Sequence, residues 1–184
     1  MQWAEAFLDE LEKLSKLNPD VQLRPHQRQA VQMLERSGNR ALFAHGTGTG
    51  KTLSAIAGFE HLKEQGKAEK ALVITPASLQ TNFSEKGVKK FTDSTVGPVG
   101  SGSHYQLMTL EKFRKNPSKA LEDSGADTMI IDEIHRAKDP GSKSYKALRE
   151  AANGEQVKNV IGLTGSFISN HPSEVVPLMD IVRP

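Results

Sequence analysis

Apolar and polar positions follow two different rhythms along this chain, and each rhythm predicts its own kind of element. Short runs rich in aliphatic residues are typical of strands with both faces buried. Longer stretches with apolar residues every three or four positions are typical of helices. The predicted strands are residues 40–44, 71–75, 106–109, 128–132 and 157–163. The predicted helices lie near residues 25–37, 51–65, 78–91, 110–122, 143–153 and 173–182.

Strands that alternate with helices predict an α/β domain, in which a parallel sheet is covered by helices on both faces. We place this domain at residues 20–184. Two segments inside it, residues 92–103 and 137–142, are rich in Gly, Ser, Thr or Asp-Pro-Gly and are predicted to be surface turns.

Residues 1–19 predict an amphipathic helix that precedes the domain. Its apolar positions are spaced by four, four and three residues: Trp3, Phe7, Leu11 and Leu14. Asn18 and Pro19 are expected to end it. We expect its apolar face to dock on the domain, and the alternative is an arm that binds a partner.

Composition narrows the class of protein. The 184 residues are 36% apolar and 25% charged, as in an ordinary globular domain. Cysteine is absent, which excludes a disulfide scaffold, a zinc ribbon and a thiol nucleophile. No run approaches the ~20 apolar residues of a membrane span, and the acidic N-terminus is unlike a secretory signal, so we expect a cytoplasmic protein with no membrane partner. A net charge of +2 leaves nucleic-acid binding by a local basic patch open.

A glycine-rich segment, His-Gly-Thr-Gly-Thr-Gly-Lys-Thr, joins the first predicted strand to a predicted helix. This is the context of a phosphate loop, whose backbone N–H groups surround phosphate oxygens at a helix N-terminus. We expect Lys51 to reach the β- and γ-phosphates of ATP and the Thr52 hydroxyl to bind Mg²⁺. The match is to the short Gly-x-Gly-Lys-Thr core, because His45 replaces the first glycine of the strict pattern. The expected nucleotide-binding residues here are Gly46, Thr47, Gly48, Thr49, Gly50, Lys51 and Thr52.

Two adjacent carboxylates, Asp132 and Glu133, end an apolar predicted strand. Such a strand has no structural use for two charges at its end, whereas a magnesium-nucleotide site does. Asp132 would hold Mg²⁺ directly or through water, and Glu133 would orient and polarise the attacking water. Ligands of doubly wound sheets lie at the carboxyl ends of the strands, where this pair and the phosphate loop both fall. We therefore expect Lys51, Asp132 and Glu133 to be the catalytic residues.

Six segments, in the same order along the chain, resemble motifs of the superfamily 2 helicases, and within them of the Swi/Snf-type DNA translocases. The first resembles the adenine-reading segment and has Gln27 in its glutamine position. The others resemble motif I, motif Ia, a Ser-Tyr-Glu stretch, a DExH box and motif III. The six segments are residues 22–27, 45–52, 74–83, 108–113, 132–135 and 163–166. Two departures are His45-Gly46-Thr47, which resembles members from phages and mobile elements, and Phe167 in place of proline.

The resemblance implies a RecA-like lobe that binds ATP and Mg²⁺ and works with a second RecA-like lobe, which supplies an arginine finger. The complete motor would couple ATP hydrolysis to movement along duplex DNA, without preference for sequence. His135 would couple the ATP site to Thr164 and Ser166. The residues expected to meet nucleic acid are Thr75, Pro76, Ser78, Thr109, Lys112 and Lys115.

Alternatives stay open at several points. A lone lobe could bind a nucleotide or a partner protein without hydrolysis and act as a regulator. A restriction-type motor subunit is a third possibility, although His26-Gln27 and the residues after motif III favour the Swi/Snf type. For the basic residues of segment 112–119 two interpretations stay open: they meet DNA phosphates, or they only solvate a helix. The basic residues of segment 136–149 are expected to form a solvated helix face. His26 and His61 are expected to be ordinary surface or packing residues.

Overall fold

The computed structural model describes residues 17–46, 48–165 and 172–183. The helix predicted within residues 1–19 lies outside this range except for its last positions, and so do Thr47 and Ser166. The described chain begins at Leu17, which forms an isolated antiparallel bridge with Thr92. The described residues thus fall almost entirely within the predicted α/β domain.

The centre of the domain is a six-stranded sheet in which every pair of neighbours is parallel. Its order is β1-β6-β5-β2-β4-β3. The strands are β1 (Arg40–Ala44), β2 (Ala71–Ile74), β3 (Val96–Pro98), β4 (Tyr105–Met108), β5 (Thr128–Ile131) and β6 (Asn159–Thr164). The predicted parallel sheet is confirmed.

Helices cover both faces of this sheet, because successive side chains of each buried strand point to opposite sides. In β2, for example, Val73 packs into the cluster that contains Leu34 and Ile56, whereas Leu72 packs into the cluster on the other face that contains Leu148 and Ile181. The helices are α1 (Pro25–Arg36), α2 (Lys51–Glu64), α3 (Ala77–Phe83), α4 (Lys89–Phe91), α5 (Leu110–Phe113), α6 (Pro117–Ser124), α7 (Lys143–Ala152) and α8 (Val175–Val182).

The prediction of a surface turn over residues 92–103 is wrong in its middle, where β3 forms the edge of the sheet. β3 pairs with β4, and its three residues are Val96, Gly97 and Pro98. Proline lacks an N–H to donate, so in sheets it is confined to positions such as an edge strand. The strand is short and contains both residues that usually mark turns, which is why its pattern was that of a loop.

The single helix predicted over residues 110–122 is two helices, α5 and α6. The break falls at Asn116, whose side chain accepts a hydrogen bond from the Lys119 N–H and so caps α6. Pro117 is the first residue of α6, a position that proline favours because its missing N–H would have no partner there.

The helix predicted over residues 78–91 is interrupted by a π-helical turn at Ser84–Val88. Gly87 in this turn packs against the start of α2. A Cβ on Gly87 would lie 3.0 Å from the Ile56 side chain and 3.1 Å from Thr52 Cγ2. The turn thus closes tightly over the helix that follows the phosphate loop.

All six strands run the same way, so their carboxyl ends meet at one edge of the sheet. The phosphate loop follows β1, Gly165 follows β6, Asp132 follows β5, Thr75 follows β2 and Thr109 follows β4. The predicted functional segments are therefore brought together by topology.

Candidate active site

The phosphate loop leaves β1 and turns sharply before α2 begins at Lys51. Gly48 and Gly50 have φ values of 76° and 83°, in the left-handed region that favours glycine. Thr49 folds back, and its hydroxyl donates to the Gly46 carbonyl over 2.7 Å. The loop is a compact turn at the N-terminus of a helix, which is a ready site for an anion.

Two side chains at the start of α1 hold this loop from behind. His26 Nε2 lies 2.9 Å from the Thr49 carbonyl oxygen, and Gln27 Nε2 donates to the Gly50 carbonyl over 3.2 Å. The other end of the Gln27 amide accepts the Arg24 N–H over 2.8 Å. The expectation that His26 is an ordinary surface or packing residue missed this contact, because its partner is 23 positions away in sequence.

His45 lies at the end of β1 with its ring 5.2 Å from that of His26. Burial lowers the pKa of His45, and the nearby His26 and Lys51 lower it further. Its Nε2 is buried and has no hydrogen-bond partner among the described residues. At neutral pH this ring therefore adds no positive charge beside the loop.

The acidic box begins where β5 ends. Asp132 N donates to the Ile74 carbonyl over 2.8 Å, and one carboxylate oxygen accepts the Glu133 N–H over 3.0 Å. The other oxygen accepts the Thr75 hydroxyl over 2.9 Å. Burial raises the pKa of Asp132, against the smaller lowering effect of the Thr75 hydrogen bond. Asp132 is thus a partly desolvated carboxylate held in one orientation.

Thr75 departs from its predicted role as a nucleic-acid contact. Its side chain is only 1% exposed, and its hydroxyl is bonded to Asp132. A buried hydroxyl with that partner cannot reach a phosphate backbone. Thr75 therefore belongs to the acidic box.

Glu133 has a left-handed backbone with φ 51°, which is uncommon for a residue with a side chain. Its carboxylate lies 3.2 Å from His135 Nε2, and His135 Nδ1 lies 3.1 Å from the Thr164 hydroxyl. A neutral ring that donates from Nε2 to Glu133 accepts the Thr164 proton at Nδ1. Two of the three residues expected to couple the site, His135 and Thr164, are thus in contact, and Ser166 lies outside the described residues.

A cavity of about 640 Å³ connects the phosphate loop to the acidic box. Gly48, Thr49 and Gly50 line it, but Gly46 does not. Gln22, Leu53 and Phe91 also line it. Its wall includes these predicted residues: Gln27, Lys51, Thr52, Asp132 and Glu133.

Thr52 and Asp132 offer the oxygen donors that Mg²⁺ prefers, and both line this cavity. Within the described ranges no cluster of three or more Asp, Glu or His side chains could hold a metal ion by itself. Mg²⁺ is usually held by one or two protein ligands together with substrate phosphates and water, and Thr52 and Asp132 are two such ligands. The residues present therefore fit a magnesium-nucleotide complex.

The other predicted nucleic-acid residues follow the neighbouring strands β2 and β4. Pro76 and Ser78 lie after β2, and Ser78 is exposed. Thr109 accepts the Lys112 N–H over 3.2 Å and so caps α5, and both Lys112 and Lys115 are exposed. The fold thus places these five residues on one rim, which we call the β2–β4 rim.

The second basic cluster, residues 136–149, is largely neutralised by acidic partners. Three of its cations form ion pairs, over 3.1, 3.1 and 2.6 Å, and the pairs are Arg136–Glu111, Lys138–Glu174 and Arg149–Asp180. Paired surface charges suit the solvated face expected from the sequence. In the parts of the chain that the structure covers, no helix is long and apolar enough to span a membrane.

A family model described as type III restriction enzyme, res subunit, matches residues 20–169. The uncharacterized ATP-dependent helicase YqhH of Bacillus subtilis is 27% identical over 166 residues, which are 87% of this chain and 29% of that protein. Protein CHROMATIN REMODELING 25 of Arabidopsis thaliana is 29% identical over 196 residues, covering 88% of this chain and 21% of that protein. The chain thus spans less than a third of the length of either relative.

Solved structures share the fold. The SWI2/SNF2 ATPase core of Sulfolobus solfataricus in complex with dsDNA superposes with a TM-score of 0.74 at 26% identity, over 89% of this chain and 36% of that one. The SWI2/SNF2 ATPase core domain from the same organism gives a TM-score of 0.72 at 26% identity, over 94% of this chain and 37% of that one. In both, the similarity covers most of this chain and little more than a third of the other.

Proposed function

This chain belongs to the family described as type III restriction enzyme, res subunit, as a Swi/Snf-type lobe of superfamily 2, and on that basis we propose that it binds ATP with Mg²⁺ for hydrolysis. One observation carries the proposal. One cavity is lined by residues 48–50 of the phosphate loop, by Lys51 and by the carboxylates Asp132 and Glu133. The loop and the lysine suit phosphates, and the two carboxylates suit a metal ion and a water molecule.

The triphosphate lies on the phosphate loop, where backbone N–H groups and the Lys51 ammonium balance its charge. The residues assigned to nucleotide binding remain Gln27 and the loop residues 46–52. Mg²⁺, held by the Thr52 hydroxyl and the Asp132 carboxylate, would neutralise charge that develops on the β- and γ-phosphates. The nucleoside packs against Leu53 and Phe91, which supply apolar surface to the same cavity.

Hydrolysis is an in-line attack by water on the γ-phosphorus. The new bond forms between the water oxygen and phosphorus, and the bond to the β–γ bridging oxygen breaks, so ADP leaves. Glu133 orients the water and accepts its proton. His135 contacts the Glu133 carboxylate and the Thr164 hydroxyl, so a change at the γ-phosphate can reach the end of β6 through this ring.

Movement along duplex DNA and the need for a second RecA-like lobe are also part of the proposal. The chain covers only 29% and 21% of two relatives, one an ATP-dependent helicase and one a chromatin-remodelling protein by name. The β2–β4 rim carries exposed lysines that suit phosphate contacts. Such contacts carry no sequence information, so we expect binding to be indifferent to sequence.

Calorimetry with magnesium-ATP tests the proposal. Wild type should bind, weakly, because only one lobe contributes contacts. Lys51→Ala should weaken binding about tenfold or more, since a charge-assisted contact to phosphate is lost. Lys67→Ala, which removes an exposed lysine away from the cavity, is the matched control and should bind like wild type. Equal affinity of wild type and Lys51→Ala would overturn the proposal.

A further inference from the structure

Thr75 is the first residue after β2, and its side chain is buried beside the acidic box. The residue is only 1% exposed. Its N–H donates to the Met108 carbonyl over 3.1 Å, which continues the pairing of β2 with β4. On the other side, where β2 pairs with β5, its hydroxyl donates to Asp132 Oδ2 over 2.9 Å. Thr75 is thus held by one neighbouring strand and holds the residue that follows the other.

The Asp132 carboxylate has a hydrogen-bond donor for each of its two oxygens. The Glu133 N–H donates to Oδ1 over 3.0 Å, and the Thr75 hydroxyl donates to Oδ2. The first donor belongs to the next residue of the chain and moves together with Asp132. The second comes from a different strand, 57 positions away in sequence. The Thr75 hydroxyl therefore ties the carboxylate to the sheet.

A threonine hydroxyl is suited to this task. An ionised carboxylate only accepts hydrogen bonds, and each of its oxygens has two lone pairs, so Oδ2 of Asp132 can accept from Thr75 and still face a metal ion or its water. Mg²⁺ demands near-ideal octahedral geometry, so the orientation of a ligand matters to it. Carboxylates that bind metals are commonly held by such outer hydrogen bonds, whose loss typically costs ~10–100-fold in metal affinity or activity.

We propose that Thr75 is a positioning residue for Mg²⁺, which acts through Asp132 and raises the affinity of the site for magnesium-ATP. The inference rests on the proposed function and deepens it, because it adds to the metal site a residue that the sequence placed among the nucleic-acid contacts. Thr75 does not line the cavity, so its effect on a ligand must pass through Asp132. Loss of the hydroxyl should therefore weaken ATP binding when the metal is present and leave metal-free binding unchanged.

Calorimetry with ATP in excess Mg²⁺, and again in excess EDTA, separates a role at the metal from a role in the fold. Thr75→Val nearly keeps the shape of the side chain and removes the hydroxyl. We expect its affinity for magnesium-ATP to fall about tenfold, the lower end of the range for a hydrogen bond to a metal ligand. Its affinity for ATP in EDTA should equal that of wild type. Thr75→Ser restores a hydroxyl and should recover most of the magnesium-ATP affinity.

Thr128→Val is the matched control, because Thr128 is a buried threonine at the opposite end of β5 from Asp132. Its hydroxyl also donates to an aspartate, Asp127, over 2.8 Å. This variant should lower Tm and leave both affinities unchanged. An equal loss in Mg²⁺ and in EDTA for Thr75→Val would overturn the inference, since Thr75 would then only support the fold. Unchanged affinity for magnesium-ATP in Thr75→Val would overturn it as well.

Two further measurements keep the test decisive. If thermal unfolding shows that Thr75→Val is not folded, Thr75→Ala decides by the same criteria. If ATP binds too weakly in EDTA for calorimetry, the rise in Tm at high ATP concentration reports the same affinity, because a ligand that binds the folded state stabilises it. A wild type that does not bind magnesium-ATP overturns the proposed function. A wild type that binds ATP equally well with and without Mg²⁺ overturns this inference and leaves nucleotide binding standing.

Discussion

Asp132 and Glu133 are adjacent, and each is held in a state that costs the fold stability. Burial raises the pKa of Asp132, so its ionised form is disfavoured in the folded protein. Glu133 has φ 51°, a backbone region that costs an ordinary residue ~1–2 kcal/mol. Perturbed groups of this kind cluster where they serve a ligand, and a bound metal and water would use both carboxylates.

Asp132→Asn should therefore stabilise the ligand-free protein at pH 7. A carboxyl group whose pKa is higher in the folded state than in the unfolded one binds more protons when folded, so stability falls as pH rises through the window between the two values. The amide introduced by Asp132→Asn does not ionise, so the variant keeps the free energy of unfolding that wild type loses in this window. The difference in stability between the two proteins should vanish as pH falls below the window. For a chain of this size, 1 kcal/mol corresponds to about 2–4 °C in Tm.

Thermal unfolding of the two proteins across pH measures this effect. Asp93→Asn removes an exposed carboxylate and should leave Tm near the wild-type value. A lower Tm for Asp132→Asn than for wild type at pH 7 would mean that its hydrogen bonds outweigh desolvation.

Single residues differ in how far the sequence reveals them. Lys51 and Asp132, which line one cavity, could be singled out because few residue types can bind phosphate or metal, and their spacing to neighbouring glycines or apolar strands is distinctive; their roles stay predictions. The role of His26 was missed and that of Thr75 was wrong, because each is defined by a partner far along the chain. Those partners lie 23 and 57 positions away, at Thr49 and Asp132.

At the scale of elements, the buried strands were predictable and the edges were not. β2 is a continuous apolar run and β5 is apolar after Thr128, since both their faces are covered. β3 at the sheet edge has no such constraint and contains glycine and proline. The break between α5 and α6 depends on the cap at Asn116, a local signal that the surrounding helical spacing concealed.

The β2–β4 rim yields a prediction about nucleic acid, because two exposed lysines, Lys112 and Lys115, lie on it after β4. If about three phosphates are neutralised in total, log affinity should fall with log salt at a slope near −3. Reversing both lysines to Glu should weaken binding to any duplex sequence and flatten the slope to about −1. Fluorescence anisotropy over a salt series measures both quantities.

Lys143 and Lys146 provide the matched double reversal, because they are exposed and lie in the second basic cluster. That variant should bind DNA with an affinity closer to wild type and an unchanged slope. If reversing Lys112 and Lys115 leaves low-salt affinity unchanged, these lysines only solvate their helix.

At the scale of the whole molecule, the strand order separates two tasks along one edge. The phosphate loop and acidic box follow β1 and β5, on either side of β6, while the rim follows β2 and β4. The Thr75–Asp132 hydrogen bond joins the two regions, since Thr75 follows β2. The parallel topology was predictable from the alternation of strands and helices. The Thr75–Asp132 hydrogen bond was not, because predicting it requires knowing that β2 and β5 are neighbours in the sheet.

The structure covers one lobe, and we propose that the missing half of the ATP site comes from a second lobe. Arginine fingers contribute ~10³–10⁵ in rate in related phosphoryl-transfer systems. This chain alone should therefore bind ATP and hydrolyse it very slowly. Glu133→Gln should abolish the remaining hydrolysis and spare binding, because the amide cannot accept the proton of the attacking water.

The most direct test is ATP turnover by the isolated chain, measured as ADP release by wild type and Glu133→Gln with magnesium-ATP binding determined on the same samples. We predict a wild-type rate far below the ~1–100 s⁻¹ of complete phosphoryl-transfer enzymes, no detectable release by Glu133→Gln, and equal binding by the two. Equal ADP release by both proteins would contradict the assignment of Glu133. A wild-type rate within that range would show that this lobe is complete in itself or completed by a second copy.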